Sequence, residues 1–146
     1  MVYQQFLNIV DAYGDKVAIN VGDCCVTYAQ LNARAEQLAA ALVARGVTST
    51  SAVATIIPNG AEFFVATLAT FRLGATLVPL NVNYTDSELI QYIDKSSALV
   101  VVGDAQSQQS RIESLGLVAT FVDTDTEQSV VVPPVAECDD NQPALI

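Results

Sequence analysis

The unbroken apolar run Ala98, Leu99, Val100, Val101 and Val102 restricts this chain more than any other segment. A strand with one solvated face alternates apolar and polar side chains, whereas an uninterrupted run belongs in a central parallel strand covered on both faces. Parallel neighbours cannot be joined by tight hairpins, so helical crossovers must flank that strand and cover it. The surrounding sequence supplies both. Ser51–Ile57, Ala75–Leu80 and Leu117–Val122 read as further strands, Leu117–Val122 as another buried one. Between them lie three helical patterns. Asn59, with Glu62 three positions on, is expected to cap a helix through Phe63, Phe64, Leu68 and Phe71 to Gly74. Thr85 and Glu88 form a capping box ahead of Leu89, Tyr92 and Ile93. Asp104 is expected to cap a polar helix to Leu115. The helix after Asn59 carries only Glu62 and Arg72 as charges, so burial on most of its sides is expected.

Upstream, Tyr3–Tyr13 reads as an amphipathic helix, followed by a hairpin of Val17–Val21 and Cys24–Thr27 about a Gly22-Asp23 turn. Thr27 with Gln30 is a second capping box; Leu31, Ala35, Leu38 and Leu42 follow at helical spacing until Arg45 and Gly46 close the helix. Strands alternating with helices in this way predict an α/β fold, a doubly wound, mostly parallel sheet with helices on both faces. The expected organisation is an α/β subdomain over 1–122, an acidic linker over 123–142 and the start of a further strand over 143–146.

Charge and composition narrow the chemistry. Sixteen acidic against six basic side chains give a formal charge of −10, which repels nucleic acid and anionic membrane surfaces. The absence of histidine removes imidazole as base, triad member or metal ligand. Cys24, Cys25 and Cys138 form neither a disulfide framework nor a zinc spacing. No secretory start and no membrane-length apolar run is read, so a cytoplasmic setting with reduced thiols is expected. The carboxylates of Asp123, Asp125, Glu127, Glu137, Asp139 and Asp140 are read as a solvated loop rather than a magnesium site, because sequence shows no octahedral convergence.

Phosphate-binding turns need glycines that let backbone N–H groups close on the anion. The strand-to-helix turns at Ile57–Gly60, Asn81–Thr85 and Val102–Ala105 hold at most one glycine each and no adjacent lysine. They make neither a P-loop nor a GxGxxG turn. Lys16 and Lys95, the only lysines, fit neither place that a phospho-acceptor receiver domain requires. Thr27, Asn59 and Thr85 are read as helix caps, and Gly74 as a left-handed turn residue. Asn83 and Tyr84 lie in a strand-to-helix loop at the carboxyl end of the sheet, where such folds place ligands.

Four stretches, Val26–Asn32, Ile57–Glu62, Phe71–Asn81 and Asn83–Leu89, resemble in order and spacing the opening of the adenylate-forming enzymes, which include acyl-CoA synthetases, luciferases and peptide-synthetase adenylation domains. The resemblance runs from Val17 to Ile146. Asn81, followed by Val82, Asn83 and Tyr84, is more similar to fatty or aryl acyl-CoA ligases than to peptide-synthetase domains, which tend to carry aspartate at that position. Gly46–Ser51 departs from the usual Gly-Asp turn, in a surface loop. The resemblance implies activation of a carboxylate by ATP and magnesium to an acyl-adenylate, with transfer to coenzyme A or carrier-protein phosphopantetheine. It also implies that a stretch like 140–146 leads into a phosphate loop ending in lysine. The chain is therefore read as an N-terminal part of such a ligase, non-catalytic alone, with no catalytic, cofactor-binding or metal residue assigned. Its expected partner is the rest of the enzyme. The alternatives are a short protein that pairs with or regulates a separately encoded adenylating partner, and an unrelated flavodoxin-like module. The apolar segment Pro143–Ile146 also raises self-association as an expectation.

Overall fold

The computed structural model describes residues 2–122, apart from the side chain of Cys24. The segments 123–142 and 143–146, with Cys138 and the acidic cluster, lie outside the described residues. The elements are α1 (Val2–Tyr13), β1 (Val17–Val21), β2 (Cys24–Thr27), α2 (Tyr28–Ala44), β3 (Ala52–Ile56), α3 (Ala61–Arg72), β4 (Thr76–Leu80), α4 (Asp86–Ser96), β5 (Val100–Asp104), α5 (Gln109–Ser114) and β6 (Ala119–Val122). β1 and β2 form a separate antiparallel hairpin. The other strands make one sheet in the order β4-β3-β5-β6, parallel throughout.

Both expected capping boxes form. The Gln30 backbone N–H donates to the Thr27 hydroxyl at 3.2 Å while the Thr27 N–H donates to the Gln30 side chain at 3.0 Å. Thr85 and Glu88 repeat the exchange at 3.2 and 2.7 Å. Each cap satisfies N–H groups that the first helical turn leaves without partners, worth about 1 kcal/mol. Leu31, Ala35, Leu38 and Leu42 are all buried, as their spacing requires.

Side chains alternate across the sheet, and each face meets its own helices. Val53, Val100 and Val102 face α1, α2 and α3, in one core with Tyr3, Leu38, Leu42 and Val65. Ala54, Ile56, Val78 and Val101 face α4 and α5, packing on Leu89, Ile93 and Ile112. β5 lies between β3 and β6 with both faces covered, which is the position that the apolar run demands.

Several local expectations are corrected. β5 begins at Val100, two residues late, because the chain leaves α4 through Ser97 in the left-handed region at φ 54°. Leu99 therefore sits at the rim of the sheet and is 46% exposed. Asn59 does not cap α3: the cap position is Gly60, with no side-chain hydrogen bond, and the Glu62 carboxylate instead accepts from Arg34 at 3.1 Å. α3 is buried on most of its sides, as expected, with Phe64 left 49% exposed. Asp104 does not open a helix. Its carboxylate accepts from the Ser107 N–H at 3.1 Å and hydroxyl at 2.7 Å, closing a turn, and α5 starts only at Gln109. β6 is shorter than expected and only Val122 in it is buried, because among the described residues it has a neighbour on one side alone. Gly74 takes the expected left-handed conformation, φ 66°.

Candidate functional site

The sheet order places a reversal between β3 and β5. From β3 the chain moves outward through α3 to β4, then returns across β3 through α4, on the opposite face, to β5. In doubly wound sheets ligands occupy the crevice beyond the carboxyl ends of the strands at such a reversal. Here its borders are Pro58, Asn59 and Gly60 after β3, and the Asp104 turn through Gln108 after β5. Glycine at 103 lets α5 lie close on β5: a Cβ there would stand 2.3 Å from Ile112 Cδ1 and 3.1 Å from the Phe121 ring.

Asn83 and Tyr84 occupy the loop after β4, an outer strand, and not the reversal itself. Asn83 is exposed and Tyr84 half-buried. The Asn81 side chain accepts from the Asn83 N–H at 2.9 Å, an Asx turn that fixes the start of the loop. The Tyr84 ring rests against Tyr92 with centroids 5.1 Å apart.

Sequence reasoning missed the residue that organises this loop. Arg111, reaching from α5, donates from Nε to Asp86 at 2.7 Å, from Nη1 to the Val82 carbonyl at 2.8 Å, and from Nη2 to the Tyr84 carbonyl. The planar fork of arginine suits such convergent acceptors. Arg34 is matched with Glu62 and Arg111 with Asp86. Among the described residues no group of three or more histidines, cysteines and carboxylates is placed to hold a metal ion, and no helix is long and apolar enough to cross a membrane.

A buried polar cluster, also missed, ties the three helices of one layer together. Arg72, only 5% exposed, donates from Nη1 to the Tyr3 hydroxyl at 2.8 Å and lies 3.4 Å from the Glu36 carboxylate. The Tyr3 hydroxyl in turn donates to Asn32 Oδ1 at 2.8 Å, and Asn32 Nδ2 donates to Glu36 at 3.2 Å. The Arg72 guanidinium also stands 5.4 Å from the centroid of the Tyr3 ring. Its signal in sequence was the single charge in an otherwise uncharged C-terminal half of α3; its partners, as many as 69 positions away, had none.

Burial raises the Tyr3 hydroxyl above its ordinary value of 10.0, against the opposing hydrogen bond and charge of Arg72, with Glu36 adding to the rise. Below that ordinary value both the folded and unfolded chain hold the proton, and the contribution to stability is complete. Above it the unfolded chain releases the proton first, so stability falls as pH climbs towards the raised folded value. Urea unfolding followed from pH 9 to 12 should show this loss, and Tyr3→Phe should flatten that part of the profile. An unchanged slope in Tyr3→Phe would remove Tyr3 as its source.

Comparison with known proteins places this architecture. The profile of the family described as AMP-binding enzyme matches residues 6–146. The chain belongs to the AMP-binding enzyme family. It is 32% identical over 127 residues to tyrocidine synthase 1 of Brevibacillus parabrevis, covering 87% of this chain and 12% of that protein. It is 35% identical over 97 residues to a medium/long-chain-fatty-acid–CoA/3-oxocholest-4-en-26-oate–CoA ligase of Mycobacterium marinum, covering 66% of this chain and 18% of the ligase. The chain thus spans less than a fifth of either relative. The fold superposes with a TM-score of 0.87 on the AMPPNP-bound form of the nonribosomal peptide synthetase FmoA3, at 19% identity, covering 99% of this chain and 16% of the other. Adenylate-forming enzymes are thus both its relatives and its structural neighbours.

Proposed function

We propose that this chain is the N-terminal α/β scaffold of an AMP-forming acid–thiol ligase of the acyl-CoA ligase type, and that it is non-catalytic alone. The ligase would join a carboxylate to ATP as an acyl-adenylate, release pyrophosphate, and pass the acyl group to the thiol of coenzyme A or of a carrier-protein phosphopantetheine. The observation that supports a scaffold role is the composition of the crevice border. Pro58, Asn59 and Gly60 face a turn closed by Asp104, with one glycine and no lysine in either loop. Neither loop is the glycine-rich, lysine-bearing turn that closes on a nucleotide phosphate, and the uncapped N-terminus of α3 alone does not make one. Asn81 favours an acyl-CoA ligase over a peptide-synthetase domain, and the relatives include both kinds. On this reading Asn83 and Tyr84 shape the carboxyl edge of the sheet, held by Arg111, and the rest of the enzyme packs against it.

The coding frame beyond Ile146, with the intact mass of the protein from its native source, tests the proposal. Continuation into a Ser/Thr/Gly-rich segment ending in lysine is the expected result. A stop codon directly after Ile146 would overturn it in favour of a short protein serving a separately encoded partner.

A further inference from the structure

We infer that Asn59-Gly60 is a self-modifying site, at which the loop after β3 converts its asparagine to aspartate and isoaspartate without any enzyme. It is the only Asn-Gly pair in the sequence. Three features of the fold leave it open to this chemistry. Asn59 is exposed, and its carboxamide makes no hydrogen bond among the described residues. Gly60 precedes the first turn of α3, and its N–H, the nucleophile, donates to no acceptor there. Gly60 also lacks the Cβ that hinders approach of a backbone nitrogen to the preceding side chain. By contrast, Asn32, Asn81 and Asn20 hold hydrogen bonds through their side chains, and neither these nor the exposed Asn83 precedes a glycine.

The reaction balances with water as the only co-reactant. The deprotonated Gly60 nitrogen forms a bond to Asn59 Cγ, the bond from Cγ to the side-chain nitrogen breaks, and ammonia leaves with a proton. Water then adds to either carbonyl of the resulting succinimide and opens the ring, giving aspartate or, with the backbone lengthened by a methylene, isoaspartate. Nothing is oxidised or reduced. The new carboxylate stands one residue before the cap of α3, where the helix dipole favours negative charge and where the reversal between β3 and β5 opens. The Pro58–Gly60 side of the crevice, uncharged beforehand, gains a carboxylate in addition to that of Asp104 on the other side, independently of the functional reading above.

The test is to hold the folded chain in warm, mildly alkaline buffer and follow intact mass and peptide maps over time. The expected result is a gain of one dalton in the peptide carrying Asn59, as a mixture of the aspartyl and isoaspartyl forms, ahead of every other asparagine. Gly60→Ala should slow it about tenfold, since the added methyl shields the nitrogen. A Cβ there meets only Glu62 Oε2 at 3.4 Å, so the variant should fold. Asn59→Gln, which disfavours the five-membered ring, should abolish the gain at that peptide. No gain at Asn59 in the folded chain, or the same rate in Gly60→Ala, would overturn the inference.

Discussion

Replacing Tyr3 with alanine should cost about 3–5 kcal/mol, the range for truncating a fully buried aromatic side chain. Tyr3 is 1% exposed and is the only fully buried residue of α1. Its ring packs against Phe6 with centroids 5.9 Å apart, and its hydroxyl links Arg72 of α3 to Asn32 of α2. Alanine therefore removes the wedge that docks α1 and leaves the Arg72 guanidinium with less to satisfy it. Tyr3→Phe keeps the wedge and loses the hydroxyl, so it should cost about 1–2 kcal/mol. Single domains are stable by only about 5–15 kcal/mol, so the alanine variant would hold little in reserve. Urea unfolding monitored by circular dichroism separates the two variants. Equal losses would show that the hydroxyl alone matters and that the ring does not anchor α1.

A methyl group added at Gly103 should destabilise the chain by about 1–3 kcal/mol, the usual cost of overpacking a filled core. Gly103 lies in β5 directly beneath Ile112 of α5 and beside Phe121 of β6. The collision at 2.3 Å is with Ile112 Cδ1 and the next contacts, 3.1 and 3.2 Å, are with the Phe121 ring. Ile112→Val removes that Cδ1. The double variant should therefore be less destabilised than the sum of its two single changes, a coupling that neighbouring residues in one packed site are expected to show. Strict additivity in thermal or urea unfolding would mean that α5 moves away from β5 as a unit.

Where neighbouring residues encode an element, the sequence was a sound guide. The boxes Thr27/Gln30 and Thr85/Glu88 fix helix starts within four residues, and the Ala98–Val102 run places a central parallel strand whatever its distant partners are. Expectations slipped where two local solutions compete. Asn59 and Gly60 are both acceptable ahead of a helix, and Glu62 chose Arg34, 28 positions earlier, over a cap. Asp104 had Ser107 within reach and closed a turn instead of opening a helix. The candidate site was legible only as far as its place at the carboxyl edge of the sheet. The Arg111 fork and the Tyr3–Arg72 cluster depend on contacts 25 to 69 positions apart, which no local pattern announces.

Calorimetric titration of the chain with ATP and magnesium tests the central claim most directly. A scaffold without a phosphate cradle should give no binding heat beyond dilution, and should leave the thermal midpoint unchanged at ATP concentrations that would stabilise a binder by mass action. Saturable binding at micromolar concentration would contradict the claim, and would place a nucleotide site within these 146 residues.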